Sequence, residues 1–247
     1  MITPKANLAM MERPGTPEHT DSVAVSGTVG RVGAAYQAIK EAIRNNVFPP
    51  GYQAAEVEIA RQLGMSRTPV HEAMARLQED GLVRILPKKG ILICALSPID
   101  IEEIYEVIIA MEGAAAARIA RLPADQRRSI ADDLQTATDA MHDALSNDNL
   151  AAWAVADERF HETLVARCGN RRLMRMAGTV ADQLHRARMF TLNLRPLPTA
   201  SALDHQTIID QIAKGHAEAA SHAARVHRQQ ARDLMLPLIA KLNLRNL

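Results

Sequence analysis

This sequence predicts a mainly α protein in two parts: a small N-terminal unit of three helices closed by one β-hairpin, then a longer bundle of helices alone. Three observations carry that prediction. Apolar residues recur at three- and four-residue spacing through most of the chain, and alternation at strand spacing is confined to a short stretch around residue 90. Aromatic residues are only 3% of the total, while Ala, Leu, Ile and Met abound, as helix-on-helix packing prefers. Gly and Pro fall between the periodic segments, where they punctuate helices. The 247 residues allow one large domain or two modest ones, and 47% hydrophobic with 23% charged residues is ordinary for a globular protein. No apolar run approaches the roughly 18 residues of a membrane span. The first 30 residues lack the apolar core of a secretion signal and are rich in Pro, Gly, Ser and Thr. The expected layout is a disordered tail over 1–28, a first folded unit over 29–95 and a second over 96–247.

In the first unit, 31–46 reads as an amphipathic helix with Val32, Tyr36, Ile39 and Ile43 on one face. "FPPG" (48–51) stops it. A short helix over 55–63 is expected to bury Val57, Ile59, Ala60 and Leu63, with Gly64 just past its end. Ser66 or Thr68 caps the next helix and Pro69 falls in its first turn, where a missing N–H costs nothing. Val70, Ala73, Met74 and Leu77 form its inner stripe and Gly81 ends it. "LVRIL" and "ILICA" then flank "PKKG", a hairpin signal. Ser97, Pro98 and Asp100 open the second unit with a capping-box pattern. Helices are predicted over 98–121, 124–145, 149–168, 171–193, 200–214 and 217–243, separated by "SNDN", "GN", "RPLP" and Gly215.

Helix, helix, tight turn, helix, hairpin is the order of a winged helix-turn-helix. Such a unit inserts its third helix N-terminus first into a DNA major groove, so first-turn side chains meet bases and phosphates. Arg67 suits a bidentate contact to guanine, while Ser66 and Thr68 suit phosphate oxygens or capping. Lys88, Lys89 and Gly90 sit at the hairpin tip, where a small basic loop can approach the DNA backbone. Residues 31–95 hold nine Lys/Arg against six Asp/Glu, while the whole chain is only +1, a mild bias toward an anionic partner. "LGMSRTPVHEAMARLQEDGLVRILPKKG" (63–90) resembles the DNA-binding domain of the GntR family of bacterial transcription regulators. The resemblance implies that Ser66, Arg67, Thr68, Lys89 and Gly90 occupy DNA-contact positions. His71 departs from it, standing where the family usually has arginine, a stronger ligand for phosphate or guanine.

Histidines are the chemical signal of the second unit. Asp157 and His161 lie four residues apart in "DERFHETL", about 40° apart around one helix, and so share a face. His205 and His227 fall on two later helices. Three imidazoles and a carboxylate make a plausible site for zinc or another first-row divalent metal. The chain has nine histidines, so surface or satisfied core histidines remain the alternative on spacing alone. "IYEVIIAMEGAAAARIA", "DERFHETLVARCGNRRL" and "DHQTIIDQIAKGHAEAASHAARVH" resemble the FCD effector-binding domain of the FadR subfamily of GntR regulators. By that resemblance Asp157, His161, His205 and His227 match positions that hold a divalent metal beneath a small-ligand pocket, zinc first and nickel or manganese as alternatives. His142, His185, His216 and His222 fall outside the pattern and read as ordinary histidines. Ile108 departs from the pattern, since many members carry an arginine there; Arg186 or Arg188 is then the candidate to hold an effector carboxylate. Trp153 reads as core, with a place lining the pocket as the alternative. Cys94 and Cys168 form no metal or redox motif and point to a reducing, cytoplasmic setting.

The function expected from these readings is a ligand-responsive regulator, acting as a repressor of a metabolic operon. It would be a cytoplasmic homodimer on an inverted-repeat operator in double-stranded DNA, with a small organic acid or related metabolite as effector and no membrane partner. A metal-sensing regulator is one alternative. A metal-dependent enzyme is a weaker one, since no general base in an HExxH-like arrangement accompanies the ligands.

Overall fold

The computed structural model describes residues 21–241. In the N-terminal part, α1 (Asp21–Arg44), α2 (Glu56–Gln62) and α3 (Arg67–Glu79) surround a small core, and β1 (Gln53–Ala54), β2 (Val83–Leu86) and β3 (Gly90–Ile93) form one antiparallel sheet in the order β1-β3-β2. Ile39 and Ile43 of α1, Phe48, Ile59, Val70, Met74, Leu77, Leu82 and Ile93 close that core without solvent contact of consequence. Inner positions of α3 match the Val70, Ala73, Met74, Leu77 stripe, all buried.

Three details differ from expectation. Of the tail predicted over 1–28, residues 1–20 lie outside the described residues, but 21–28 already belong to α1. A helix anchored by its buried half propagates N-terminally at little cost, because nucleation has already been met. Val57 is 60% exposed rather than buried, since Ile59 and Ala60 fill the inward face of the seven-residue α2. β1 was unpredicted: two residues are too short for a periodic signal, and the strand exists only because Gln53 and Ala54 pair with Leu92 and Ile91 of β3. Gly90 makes that pairing feasible. Its φ is +92°, and a Cβ there would run into the Ala54 carbonyl oxygen.

The linker from β3 ends at Ser97, where the expected capping box forms. Ser97 Oγ accepts from Asp100 N at 3.2 Å, and Asp100 Oδ2 accepts from Ser97 N at 2.7 Å. Six helices follow: α4 (Pro98–Ala120), α5 (Ala124–Ser146), α6 (Leu150–Ala166), α7 (Arg171–Thr191), α8 (Thr199–Lys214) and α9 (Ala217–Lys241), with a 3-10 turn over Leu192–Leu194 after α7. Leu134, Met141, Phe160, Leu164, Ile208 and Ile212 interlock α5, α6 and α8. Gly113 lets α4 lie close against α9, for a Cβ there would stand 2.7 Å from Arg225 Cγ. That close approach brings Glu112, one residue earlier, against Arg228 of α9. The fold is mainly α, with a helix-turn-helix and wing ahead of an all-α bundle.

Candidate metal centre and nucleic-acid interface

One turn of α6 carries Asp157 and His161 inward, α8 supplies His205 and α9 supplies His227. All four are buried, and one donor atom from each lies within 4.8 Å of all the others. The three Nε2 atoms form a triangle with sides of 3.1 Å (His205 to His227), 3.3 Å (His227 to His161) and 3.4 Å (His205 to His161). Asp157 Oδ2 stands 3.7 Å from His161 Nε2, and its Oδ1 stands 3.7 Å from His205 Nε2. Nitrogens bound at about 2.0–2.1 Å to one tetrahedral zinc are about 3.3 Å apart, which is the size of this triangle.

The protons point the same way. His161 Nδ1 donates to Glu112 Oε2 at 2.9 Å, and His227 Nδ1 faces Asp204 Oδ2 at 3.4 Å. Both hydrogens therefore belong on Nδ1, and both Nε2 lone pairs face the centre. His205 Nδ1 is buried with no hydrogen-bond partner among the described residues. Converging lone pairs repel unless a cation stands between them, so the donor set suits a divalent ion. Burial, then the nearby Arg228 guanidinium, pushes the His161 imidazole down to about 4 against the pull of Glu112. Burial and then His227 push His205 well below the usual imidazole range. Burial alone would raise Asp157, but Arg188 and the three imidazoles hold its carboxyl below the usual range. Neutral imidazoles beside an ionised carboxylate are the protonation states a metal requires.

The surrounding charges are paired. Glu112 takes two bonds from Arg228, at 2.8 Å from Nε and 2.5 Å from Nη2, and Arg188 donates to Asp157. Burial would raise Glu112 as well, but Arg228 and then His161 keep it low. Two cavities flank the cluster. One, of about 310 Å³, is lined by His161, Glu112 and Ile108 together with Lys40 and Arg44 of α1. The other, of about 270 Å³, is lined by Asp157, His227, Arg188, Tyr105, Trp153 and Arg195. In this second cavity Tyr105 Oη, Trp153 Nε1 and Arg195 Nε are buried without hydrogen-bond partners among the described residues. Buried polar atoms left unpaired are costly, so a ligand rich in acceptor oxygens fits there.

Of the two arginines expected to serve an effector, Arg188 lines both cavities. Arg186 lines neither. It points to the other side of α7, buried against Pro50, Leu96 and Ile239, and donates to the Cys94 carbonyl oxygen. Trp153 is core, as expected, and also a cavity wall. Glu112, Arg228, Tyr105 and Arg195 were not singled out in the sequence. Only Glu112 had a local cue, a lone acid among the small residues of "AMEGAAAARIA".

On the opposite end of the chain, Ser66, Arg67 and Thr68 are exposed at the N-terminus of α3, and Ser66 is the N-cap. Its side chain makes no capping bond and is available. His71, one turn on, is exposed, and its Nδ1 donates to the Glu56 carboxylate of α2 at 2.9 Å. Lys88 and Lys89 project at the wing tip, where Gln53 Nε2 donates to the Lys89 carbonyl at 2.8 Å and steadies the loop. Gly90 contributes backbone rather than surface, packed under β1.

Comparison with known proteins agrees with both halves. Residues 32–93 match the model of bacterial regulatory proteins of the gntR family, and residues 103–230 match the FCD domain. The chain belongs to the GntR family. An HTH-type transcriptional regulator from the TAR-I ttuE-ttuC' intergenic region of Agrobacterium vitis is 73% identical over 139 residues, 56% of this chain and 81% of that one. A probable D-xylose utilization operon transcriptional repressor of Paenarthrobacter nicotinovorans is 30% identical over 180 residues, 73% of this chain and 77% of its own. Among solved structures, a GntR regulator from Rhodococcus aligns with TM-score 0.70 at 21% identity, covering 84% of this chain and 98% of the other. E. coli McbR/YncC aligns with TM-score 0.71 at 16% identity, covering 86% and 98%. These two share the fold. The relatives of this FCD-type GntR chain are transcription regulators rather than enzymes, and it is a transcription regulator with a DNA-binding head. No described helix is long and apolar enough to cross a membrane.

Proposed function

We propose that this GntR regulator is a metal-loaded, ligand-responsive repressor acting on double-stranded operator DNA in the cytoplasm. The observation that carries the reading is the buried triangle of Nε2 atoms, 3.1–3.4 Å on a side, closed by the Asp157 carboxylate. Asp157, His161, His205 and His227 would hold the ion, zinc being the best match to three imidazoles and one carboxylate, ahead of nickel or manganese. A bound divalent ion would offer a Lewis-acidic position to an oxygen of the effector. This chain's own groups would do the rest. Arg188 and Arg195 offer charge to a carboxylate, while Tyr105 Oη and Trp153 Nε1 offer neutral donors to further oxygens. A small organic acid fits a cavity of about 270 Å³ with those donors.

Arg67, with Ser66 and Thr68, would enter the major groove, and Lys88 and Lys89 would track the backbone from the wing. His71 would offer a single free ring nitrogen where the family arginine offers a bidentate fork, altering base preference at that position. The two units expected from sequence, 29–95 and 96–247, would divide the labour accordingly. Two copies would read an inverted repeat, and Val107 and Met176, 40% and 60% exposed on α4 and α7, give the bundle apolar surface for self-association. The test is operator binding to DNA from upstream of the protein's own gene, with a panel of small organic acids added to the zinc-loaded protein. Release or tightening by one acid, lost in Arg195→Ala, supports the reading. Indifference to every acid, with intact binding, contradicts a small-acid effector.

A further inference from the structure

Away from the metal candidates, the densest buried charges lie where α1 meets α6 and α7. Asp182, His185 and Arg188 follow one another along α7 at three-residue spacing, about 4.5 Å per step. Each has a partner. Arg188 donates to Asp157, His185 Nδ1 lies 2.9 Å from Glu158 Oε1, and Asp182 accepts from Arg44 and Lys40 of α1. Glu158 also accepts from Arg44 Nη2 at 2.5 Å. Arg44 is therefore gripped by one carboxylate from α6 and one from α7. The three side chains are 14%, 17% and 9% exposed for Arg44, Glu158 and Asp182, so water screens them little. α1 is in turn tied to the end of α3. Tyr36 Oη donates to Asp80 at 2.6 Å, the Arg76 guanidinium sits 4.7 Å over the Tyr36 ring, and Gln183, next to Asp182, donates to the Asp80 carbonyl at 2.9 Å.

We propose that the Arg44–Glu158–Asp182 clasp couples the state of the Asp157/histidine cluster to the orientation of the recognition helix. The proposal rests on the reading of that cluster as a metal and effector site. Asp157 and Glu158 are consecutive on α6, one turned to the cluster and the other to Arg44. An ion that fixes Asp157 sets the spacing of α6 and α7 that both jaws need, and loss of the ion, or a ligand carboxylate that draws Arg188 away from Asp157, alters it. Helices move as rigid bodies, so the jaws at Glu158 and Asp182 move with them. A guanidinium is a planar fork and keeps both bonds only at one jaw spacing. Loss of one jaw leaves α1 and α3 tied to α7 by Lys40–Asp182 and Gln183–Asp80 alone, and lets both shift. The two states differ by which carboxylates hold Arg44, the discrete alternative that transmission between distant sites requires.

Hydrogen exchange on the full chain tests this, comparing wild type, Arg44→Gln and Asp182→Asn, each metal-free and with zinc alone as the probe. Neither variant touches the cluster. The expected result is that zinc protects α6, α8 and α9 in all three proteins at equal zinc content. Protection of α1 over 37–44 and of α3, by about tenfold, appears in wild type only. Equal protection of α1 and α3 in the variants overturns the clasp, and so does wild type in which α6, α8 and α9 respond while α1 does not. If zinc changes exchange nowhere, the metal reading has failed, and the clasp is judged without metal. Asp182→Asn must then speed exchange over 37–44 while leaving α5 and α8 unchanged; unchanged exchange over 37–44 overturns it.

Discussion

Glu112→Gln separates the charge behind His161 from its shape. Glu112 is buried on α4, accepts from His161 Nδ1 at 2.9 Å, and takes two bonds from Arg228 at 2.8 and 2.5 Å. Glutamine keeps one carbonyl acceptor, but its amide hydrogens must face either Arg228 or the His161 N–H. One buried donor loses its acceptor, and Arg228 loses its counter-charge. Breaking a buried pair from one side costs about 3–5 kcal/mol. Losing a carboxylate behind a metal-bound histidine typically weakens the metal about 10–100-fold. At free zinc of 100 times the wild-type Kd, the ion stabilises the fold by about 2.7 kcal/mol, and a site weakened by that factor gives back about 1.3–2.3 of it. The assay is urea unfolding with and without zinc, together with competition against a chromophoric chelator. The variant should be less stable in both conditions, and its zinc-dependent increment should shrink to roughly half or less. An increment and a zinc affinity equal to wild type would refute the role given to Glu112.

Three further outcomes follow from the same geometry. Arg67→Ala should cost about 1–3 kcal/mol of specific operator binding and relax preference at one base position; unchanged affinity in a titration against cognate and scrambled DNA removes Arg67 from the interface. Lys89→Ala should instead weaken all sequences alike and lower the slope of log affinity against log salt by about one, so an unchanged slope counts against a wing contact. In the metal-free protein His161 is pushed down to about 4 from an ordinary 6.5. Between those values the unfolded chain binds the extra proton, so this group's contribution is fully present above about pH 6.5 and lost as pH falls through about 4, about 3 kcal/mol in all. Chelator-treated wild type should lose that much more than His161→Gln in urea unfolding from pH 7 to 4, and parallel losses would contradict it.

The fold was legible because its signals are local. The Ser97/Asp100 box, Pro69 in the first turn of α3 and the "PKKG" turn each specify their own few residues, and the structure has an element at each. Asp157 and His161 could be paired by helical spacing alone, but placing His205 and His227 beside them needed the packing of α8 and α9 on α6, which no local pattern encodes. Glu112 and Arg228 lie 116 residues apart and meet only because Gly113 lets α4 and α9 close. Arg186 and Arg188 looked interchangeable in sequence. Two residues on a helix are about 200° apart, so only one could face the cluster, and it is Arg188. β1 was hidden for the opposite reason, since its two residues owe their strand state to β3.

The central claim is that Asp157, His161, His205 and His227 together hold one divalent ion. Metal content per chain, measured after reconstitution and exhaustive dialysis, tests it most directly in wild type and His205→Ala, with operator binding followed in parallel. The account predicts about one equivalent in wild type and less than about a tenth in His205→Ala, with operator DNA still bound by both. Less than about a tenth of an equivalent of any divalent metal in wild type, or full loading of His205→Ala, would contradict it.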